Sequence, residues 1–158
     1  MSEIVVRPAR REELERVNEL RRQVNDLHVE GRPRHFKPGF GPELQAHVYD
    51  QLESDRFDVL VAEVDGEIAG FATVQFVHRP EGPYTLALDF YHVEEFGVDP
   101  TYRRRGVATA LVEYMKRDAR KRGFNRLDLD VWAFNDDALA FYEAVGFTTY
   151  RRYMELNL

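Results

Sequence analysis

A chain of 158 residues with 44% hydrophobic and 13% aromatic residues can bury a sizeable core, and its length fits one domain, residues 1–158. The net charge of −6 opposes wholesale nucleic-acid binding, and the absence of cysteine excludes disulfides, thiolate metal sites and a cysteine nucleophile. No apolar run approaches a membrane span and the start, Met1-Ser2-Glu3-Ile4, lacks the apolar segment of a secretory signal, so a soluble cytoplasmic protein is expected.

Ile4 to Arg7 reads as a short first strand closed by Pro8. Arg11 to Leu27 reads as a charged amphipathic helix, with Leu14, Val17 and Leu20 near helical spacing. The segment from Glu30 to Pro42 is rich in Gly, Pro, Arg and His and reads as a long irregular loop, a kind that often contacts substrate. A second helix is expected from Pro42 to Leu52. Phe57 to Val64 and Glu67 to Val77 read as strands joined by Asp65-Gly66, a strong hairpin signal. Arg79 to Pro83 is a further turn, and a long strand is expected from Thr85 to Val98. A third helix runs from Arg103 to Gly123, with Val107, Leu111, Tyr114 and Met115 on one face. Leu127, Leu129 and Val131 alternate with Asp128, Asp130 and Trp132, which predicts a fifth strand. Asn135 is a good N-cap for a short helix ending at Gly146, and Phe147 to Leu156 is expected to be a last strand. The order predicts an α/β protein with a mixed sheet.

The most informative stretch is Val98-Asp99-Pro100-Thr101-Tyr102-Arg103-Arg104-Arg105-Gly106-Val107-Ala108. It places three arginines and a glycine where a strand passes into a helix. A helix start leaves backbone N–H groups unpaired and carries partial positive charge. Gly106 lets a phosphate approach with no Cβ in the way, and Ala108 keeps the next contact small. The plain alternative is an ordinary helix start near some arginines. Neither a Gly-Lys-Ser/Thr sequence nor three spaced glycines is present, which disfavours a P-loop nucleotidase and a Rossmann dehydrogenase. A second pattern follows about thirty residues later: Asn135, then Tyr142-Glu143-Ala144-Val145-Gly146-Phe147. His28, His35, His47 and His78 lack metal-ligand spacing, and no metal is expected.

With Arg103-Arg104-Arg105-Gly106-Val107-Ala108 and the Asn135 to Phe147 pattern, the chain resembles the GNAT superfamily of acyl-CoA N-acyltransferases. The resemblance is firm over Glu94 to Phe147 and rests on element order elsewhere. It implies a mixed, mostly antiparallel central sheet flanked by helices, with the fourth and fifth strands splayed. It implies acetyl-CoA as donor, its pyrophosphate on the turn formed by Arg103, Arg104, Arg105, Gly106, Val107 and Ala108. The pantetheine would lie in the splay against the backbone of Phe96, Gly97 and Val98, with Asn135, Ala138 and Tyr142 along the arm. Asn135 has a plain helix-cap role as its alternative, and the two are compatible.

Acetyl transfer to an amine needs a base, an oxyanion donor and an acid for the departing thiolate. Tyr142 matches the family's acid position; its alternative is a core aromatic. For the base, a carboxylate acting through water is expected. Glu94 is preferred over Glu95, His92 and Asp130, because strand alternation puts Glu94 on one nominal face with His92 and Phe96 and sends Glu95 to the other. A bulge would change that assignment. The resemblance implies an acceptor pocket from Glu30 to Phe40 and Thr149 to Met154. Arg32, Arg34 and Lys37 suit a carboxylate or phosphate on the acceptor, whereas the acidic chain and Glu94-Glu95 suit a polyamine or aminoglycoside. The Glu94-Glu95-Phe96 run is also similar to that of diamine acetyltransferases. A small-molecule or peptide amine is the expected partner, and a homodimer through the C-terminal strands is a further expectation. An acyl-CoA-binding module without turnover is the alternative function.

Overall fold

The computed structural model describes residues 3–158, so Met1 and Ser2 of the N-terminal stretch lie outside the described residues. Strands β1 (Ile4–Pro8), β2 (Phe57–Val64), β3 (Glu67–Arg79), β4 (Leu88–Val98) and β5 (Leu127–Leu129) form one sheet in that order. The first four are antiparallel, and β5 joins β4 in parallel. Asp65 and Gly66 link β2 to β3 with φ of 51° and 83°, and two positive φ values are what a tight hairpin turn requires.

Helices α1 (Leu14–Gly31) and α2 (Pro42–Glu53) cover one face of the sheet, while α3 (Val107–Lys121) and α4 (Asp136–Ala144) cover the other. The period-2 geometry of β2 divides its side chains between two cores. Val59 and Val61 join Leu14, Val17, Leu20 and Val48 under α1 and α2. Leu60 and Ala62 join Val107, Leu111, Val112 and Met115 under α3. Fully burying a Leu or Val side chain contributes roughly 1.5–3 kcal/mol, so these two layers dominate what holds the sheet in place. The result is the mixed, mostly antiparallel sheet that the sequence predicts.

The β4 strand carries the feature that shapes the site. Thr73 pairs with Glu95 while Val74 pairs with Val93, so Glu94 is an extra residue in β4, a bulge. Parallel pairing to β5 covers only Tyr91, His92 and Val93, opposite Leu127, Asp128 and Leu129. Beyond Val93 the two strands part, and residues 94–98 have no strand partner on that side among the described residues.

Several boundaries differ from the sequence reading. The first helix runs Leu14–Gly31 rather than Arg11 to Leu27, so the irregular loop expected from Glu30 starts only at Arg32. The fifth strand stops at Leu129, short of Trp132, because β4 turns away at the bulge and offers no partner to Asp130, Val131 and Trp132. The third helix begins at Val107, four residues late, because Arg104 and Gly106 have φ of 61° and 84° and cannot be helical. The long strand begins at Leu88 rather than Thr85. The expected last strand is absent: residues 147–158 have no regular structure. Both faces of that segment mix polar and aromatic residues, so it has no apolar face to bury, and the three-residue β5 is too short an edge to template it.

Candidate active site

The candidate site is the gap beyond Val93 and Leu129, where β4 and β5 cease to pair. Neighbouring contacts fix which residue looks where. Leu127, Leu129, Val93, Phe96 and Val98 pack with the α3 core. Gly97 is pressed from the other face, where a Cβ would meet Val24 of α1 at 2.8 Å and Phe71 at 2.9 Å.

The strand-to-helix turn sits at the end of β4. Asp99 anchors it. Its backbone N–H donates to the Ala69 carbonyl (2.8 Å), and its Oδ1 accepts from the Thr101 N–H and hydroxyl (2.9 Å each). Arg16 of α1 donates to Asp99 Oδ2 (2.6 Å) and to the Ile68 carbonyl, and this pairing holds the Asp99 carboxyl below its usual range. From there the chain runs through left-handed Arg104 and Gly106 into α3. The first helical bond is Ala110 N–H to the Gly106 carbonyl (2.9 Å), so the N–H groups of Val107, Ala108 and Thr109 in the first turn have no backbone partner among the described residues and can meet an outside acceptor. A Cβ on Gly106 would meet only Ile4 at 3.8 Å, so the space above the turn is open. Arg103, Arg104 and Arg105 are exposed around it, and the Arg105 guanidinium lies over the Tyr102 ring at 5.1 Å. These groups suit a pyrophosphate.

On the α3–α4 side of the gap, Phe96 stacks on Phe141 (6.0 Å) and meets Tyr142 edge to face (6.0 Å). Tyr142 is further enclosed by Phe141 (5.7 Å) and Phe147 (5.6 Å). Burial pushes its hydroxyl up to about 12, and that hydroxyl makes no hydrogen bond among the described residues. Asn135 Oδ1 accepts the Ala138 N–H (3.3 Å), so Asn135 does cap α4.

The α1–α2 side carries the charged residues. The bulge overturns the expected alternation. Glu94 accepts from Gln51 Nε2 of α2 (2.8 Å), and Glu95 is paired with Arg21 Nε of α1 (2.8 Å), so both carboxylates face this side. Phe96, not Glu95, is the one directed to the opposite face. Arg21 is 2% exposed and also donates to Asn18 and to the Leu44 carbonyl. Its charge holds the Glu95 carboxylate in an ion pair. Glu94 is exposed. His92 Nδ1 lies 2.7 Å from Asp128 Oδ1. Asp130 lies beyond the end of β5, is exposed, and makes no hydrogen bond or ion pair with the others among the described residues.

An aromatic group walls this side further out. Phe36 stacks on His28 (5.2 Å) and meets Trp132 (5.2 Å), while His35 packs against Trp132 (4.9 Å). Burial pulls the His28 imidazole below its ordinary value. Gly31 is required here, since a Cβ would stand 2.1 Å from the Phe134 ring. A hollow of about 250 Å³ opens beside it, lined by Leu27, Phe134, Asn135, Asp136 and Asp137. Arg32 lies over Trp132 and binds the Glu155 carboxylate through both oxygens (2.7 and 3.1 Å), so its charge is already matched within the chain. Arg21, Gln51 and Asp128 are not among the site residues that the sequence suggests, and only Asp128 carries a signal there, as an acid between two leucines of a strand; Tyr150 falls within the expected Thr149 to Met154 segment.

The sequence profile of the acetyltransferase (GNAT) family matches residues 21–147. The chain belongs to this family. It is therefore an acyltransferase with acetyl-CoA as its donor. The chain is similar to the L-amino acid N-acetyltransferase AaaT of Escherichia coli (strain K12), 30% identical over 156 residues, or 93% of this chain and 84% of the relative. Its fold is that of a mutant BH1408 protein from Bacillus halodurans, with a TM-score of 0.93 and 25% identity over 98% of this chain and 99% of the other. It also superposes on the aminoglycoside N-acetyltransferase AAC(6')-Iy in complex with CoA, with a TM-score of 0.79 and 23% identity over 100% and 96% of the two chains. No helix among the described residues is long and apolar enough to cross a membrane.

Proposed function

We propose that this chain transfers an acetyl group from acetyl-CoA directly to a primary amine of a small molecule or peptide, at the gap between β4 and β5. The observation that carries the reading is the two-sided site. Tyr142 and Phe96 line the side of α3 and α4, next to the Arg103–Ala108 turn, and the carboxylates line the side of α1 and α2. Donor and acceptor thus approach from opposite faces of the sheet.

Phe96, Gly97 and Val98 supply backbone along the open edge of β4 for the pantetheine, and Asn135 and Ala138 flank it from α4. The exposed carboxylate of Glu94 attracts the acceptor ammonium. Because Glu95 is matched by Arg21, Glu94 is the carboxylate with charge to spare, and it serves as base through water or as the ammonium's anchor. The amine nitrogen attacks the thioester carbonyl carbon, the C–N bond forms, and the C–S bond breaks with its pair left on sulfur. The Tyr142 hydroxyl donates its proton to that sulfur and recovers one from the nitrogen.

For the acceptor, the matched charge of Arg32 removes one of the three cations that suited an anionic group. Asp136 and Asp137 share a hollow with Phe134, whose ring joins those of Trp132 and Phe36, and together with the carboxylate of Glu94 they favour a cationic amine with an apolar body. A homodimer covering the exposed Tyr153, Met154 and Leu156 of the C-terminal segment belongs to the same reading, and light scattering tests it by mass. The main test is thermal stability with acetyl-CoA against ATP and NAD, followed by a panel of amino acids, polyamines, aminoglycosides and short peptides. A shift with acetyl-CoA alone and turnover of at least one amine supports the reading. Binding without turnover of any amine leaves only a binding module.

A further inference from the structure

Asp128 is nearly buried, with its side chain 11% exposed, on the three-residue strand β5. Leu127 and Leu129 pack toward α3, so Asp128 points to the face of α1 and α2. In the parallel register it stands beside His92, whose neighbours Tyr91 and Val93 also pack toward α3. The two side chains meet at 2.7 Å through Asp128 Oδ1 and His92 Nδ1. An ionised carboxylate only accepts, so Nδ1 carries the hydrogen and Nε2 holds the lone pair of the neutral ring.

The remaining contacts keep Asp128 in that orientation. The Tyr150 hydroxyl donates to Oδ2 (3.2 Å), and Arg126 approaches the same oxygen (3.5 Å) while lying over the rings of Phe90 and Tyr150. Phe90 meets the imidazole edge to face at 6.3 Å. Nε2 makes no hydrogen bond among the described residues, and the His92 side chain keeps 22% of its surface. His92 is on the last paired rung before β4 and β5 part, two residues before Glu94 and on the same face.

We infer that Asp128 is a positioning residue that holds His92 with Nε2 toward the acceptor, and that His92 takes the proton of the acceptor ammonium. This rests on the acetyltransferase reading above. In the step, the ammonium N–H bond breaks, its proton goes to Nε2, and the nitrogen lone pair becomes free to attack the thioester. His92 then returns the proton to solvent. Glu94 anchors the ammonium in this scheme. Among the described residues, the charged and titratable groups around the imidazole are Asp128, the Arg126 and Tyr150 that meet Asp128, and Glu94 on the same face of β4.

The test uses the full chain with acetyl-CoA and an amine that the panel shows to be acetylated, comparing Asp128→Asn, His92→Gln and the double variant. Each single variant is expected to lose about 10²-fold in kcat with KM for either substrate within about threefold, and the double variant to lose no more than either single. Asp128→Glu restores part of the rate. The acid limb of the rate profile is expected to disappear in His92→Gln. Independently of turnover, ¹⁵N correlation spectra of histidine-labelled protein are expected to show His92 in the Nδ1–H form, and Asp128→Asn to redistribute the two tautomers. Additive losses, an unchanged Asp128→Asn rate in a folded protein, or an Nε2–H tautomer in the parent overturns the inference alone. A parent that binds acetyl-CoA but acetylates no amine overturns the acetyltransferase reading, and the proton-accepting role of His92 with it.

Discussion

Replacing Tyr142 by Phe separates chemistry from packing, because the hydroxyl it removes has no hydrogen-bond partner among the described residues and the ring it keeps fills the same space. The three phenylalanine rings around it, Phe96, Phe141 and Phe147, lose no contact. Stability is therefore expected to change by less than about 1 kcal/mol, a shift of no more than roughly 4 °C for a chain of this size. The kinetic effect is larger. With its pKa pushed to about 12, the phenol stays protonated across the working range of pH. Against a thiol near 8.5, full transfer to sulfur is uphill by about 3.5 units, or about 5 kcal/mol, if it happens alone. The transfer must then be coupled to proton loss from the attacking nitrogen, with the hydroxyl bonded to the developing thiolate. Losing it should lower kcat by about 10²-fold, close to 2.7 kcal/mol, with little change in KM for acetyl-CoA. The assay is thiol release followed at saturating amine, alongside thermal melting. A kcat within twofold of the parent would refute the acid role. So would an alkaline limb between pH 8 and 10 that vanishes in the variant, since a hydroxyl titrating near 12 cannot produce one.

Removing Arg21 should be costly, because it is buried and neutralises Glu95: Arg21→Met is expected to lose about 2–4 kcal/mol in urea unfolding, and adding Glu95→Gln should recover part of that. Gly31→Ala drives a methyl into Phe134, so it should raise KM for the amine severalfold and cost about 1–3 kcal/mol, while binding of acetyl-CoA measured by calorimetry stays unchanged. Gly106→Ala meets no clash but keeps a positive φ; about 1 kcal/mol of stability and a weaker acetyl-CoA affinity are expected, measured by melting with and without the donor. Stability should also fall at both ends of the pH scale. The Arg7 guanidinium lowers Glu13 to about 2, so its contribution is present above the ordinary carboxylate value near 4.5 and is lost as pH falls through about 2. Burial raises Tyr142 to about 12 and Tyr91 further, so the folded chain loses stability once pH rises past the unfolded value near 10. Unfolding titrations at pH 3, 7 and 10.5 check both signs, and a flat profile would contradict them.

The hairpin at Asp65-Gly66 and the cap at Asn135 were legible because each depends on a few neighbouring residues, whereas the left-handed φ at Arg104 and Gly106, which delays the third helix to Val107, was not. Backbone sterics and the first turn of a helix are local, and so the family's two motifs and the order of elements could be read from the chain itself. The length of β5, the loss of the last strand and the face of Glu95 could not. Each depends on a partner far away in sequence. One extra residue at Glu94 reverses the side-chain alternation from there on, and only pairing with Thr73 and Val74 reveals it. That same bulge ends the pairing with β5, which opens the gap and leaves Val131 and Trp132 outside the sheet. The contacts that define the charged side of the site are of this kind too. Arg21 meets Glu95, Gln51 meets Glu94 and His92 meets Asp128 across 74, 43 and 36 residues of chain. Local sequence determined the family's two motifs, the order of the elements and the hairpin turn. Tertiary pairing decided which face each carboxylate looks toward and which of them keeps its charge free, because register and ion pairing exist only once distant strands and helices are in contact.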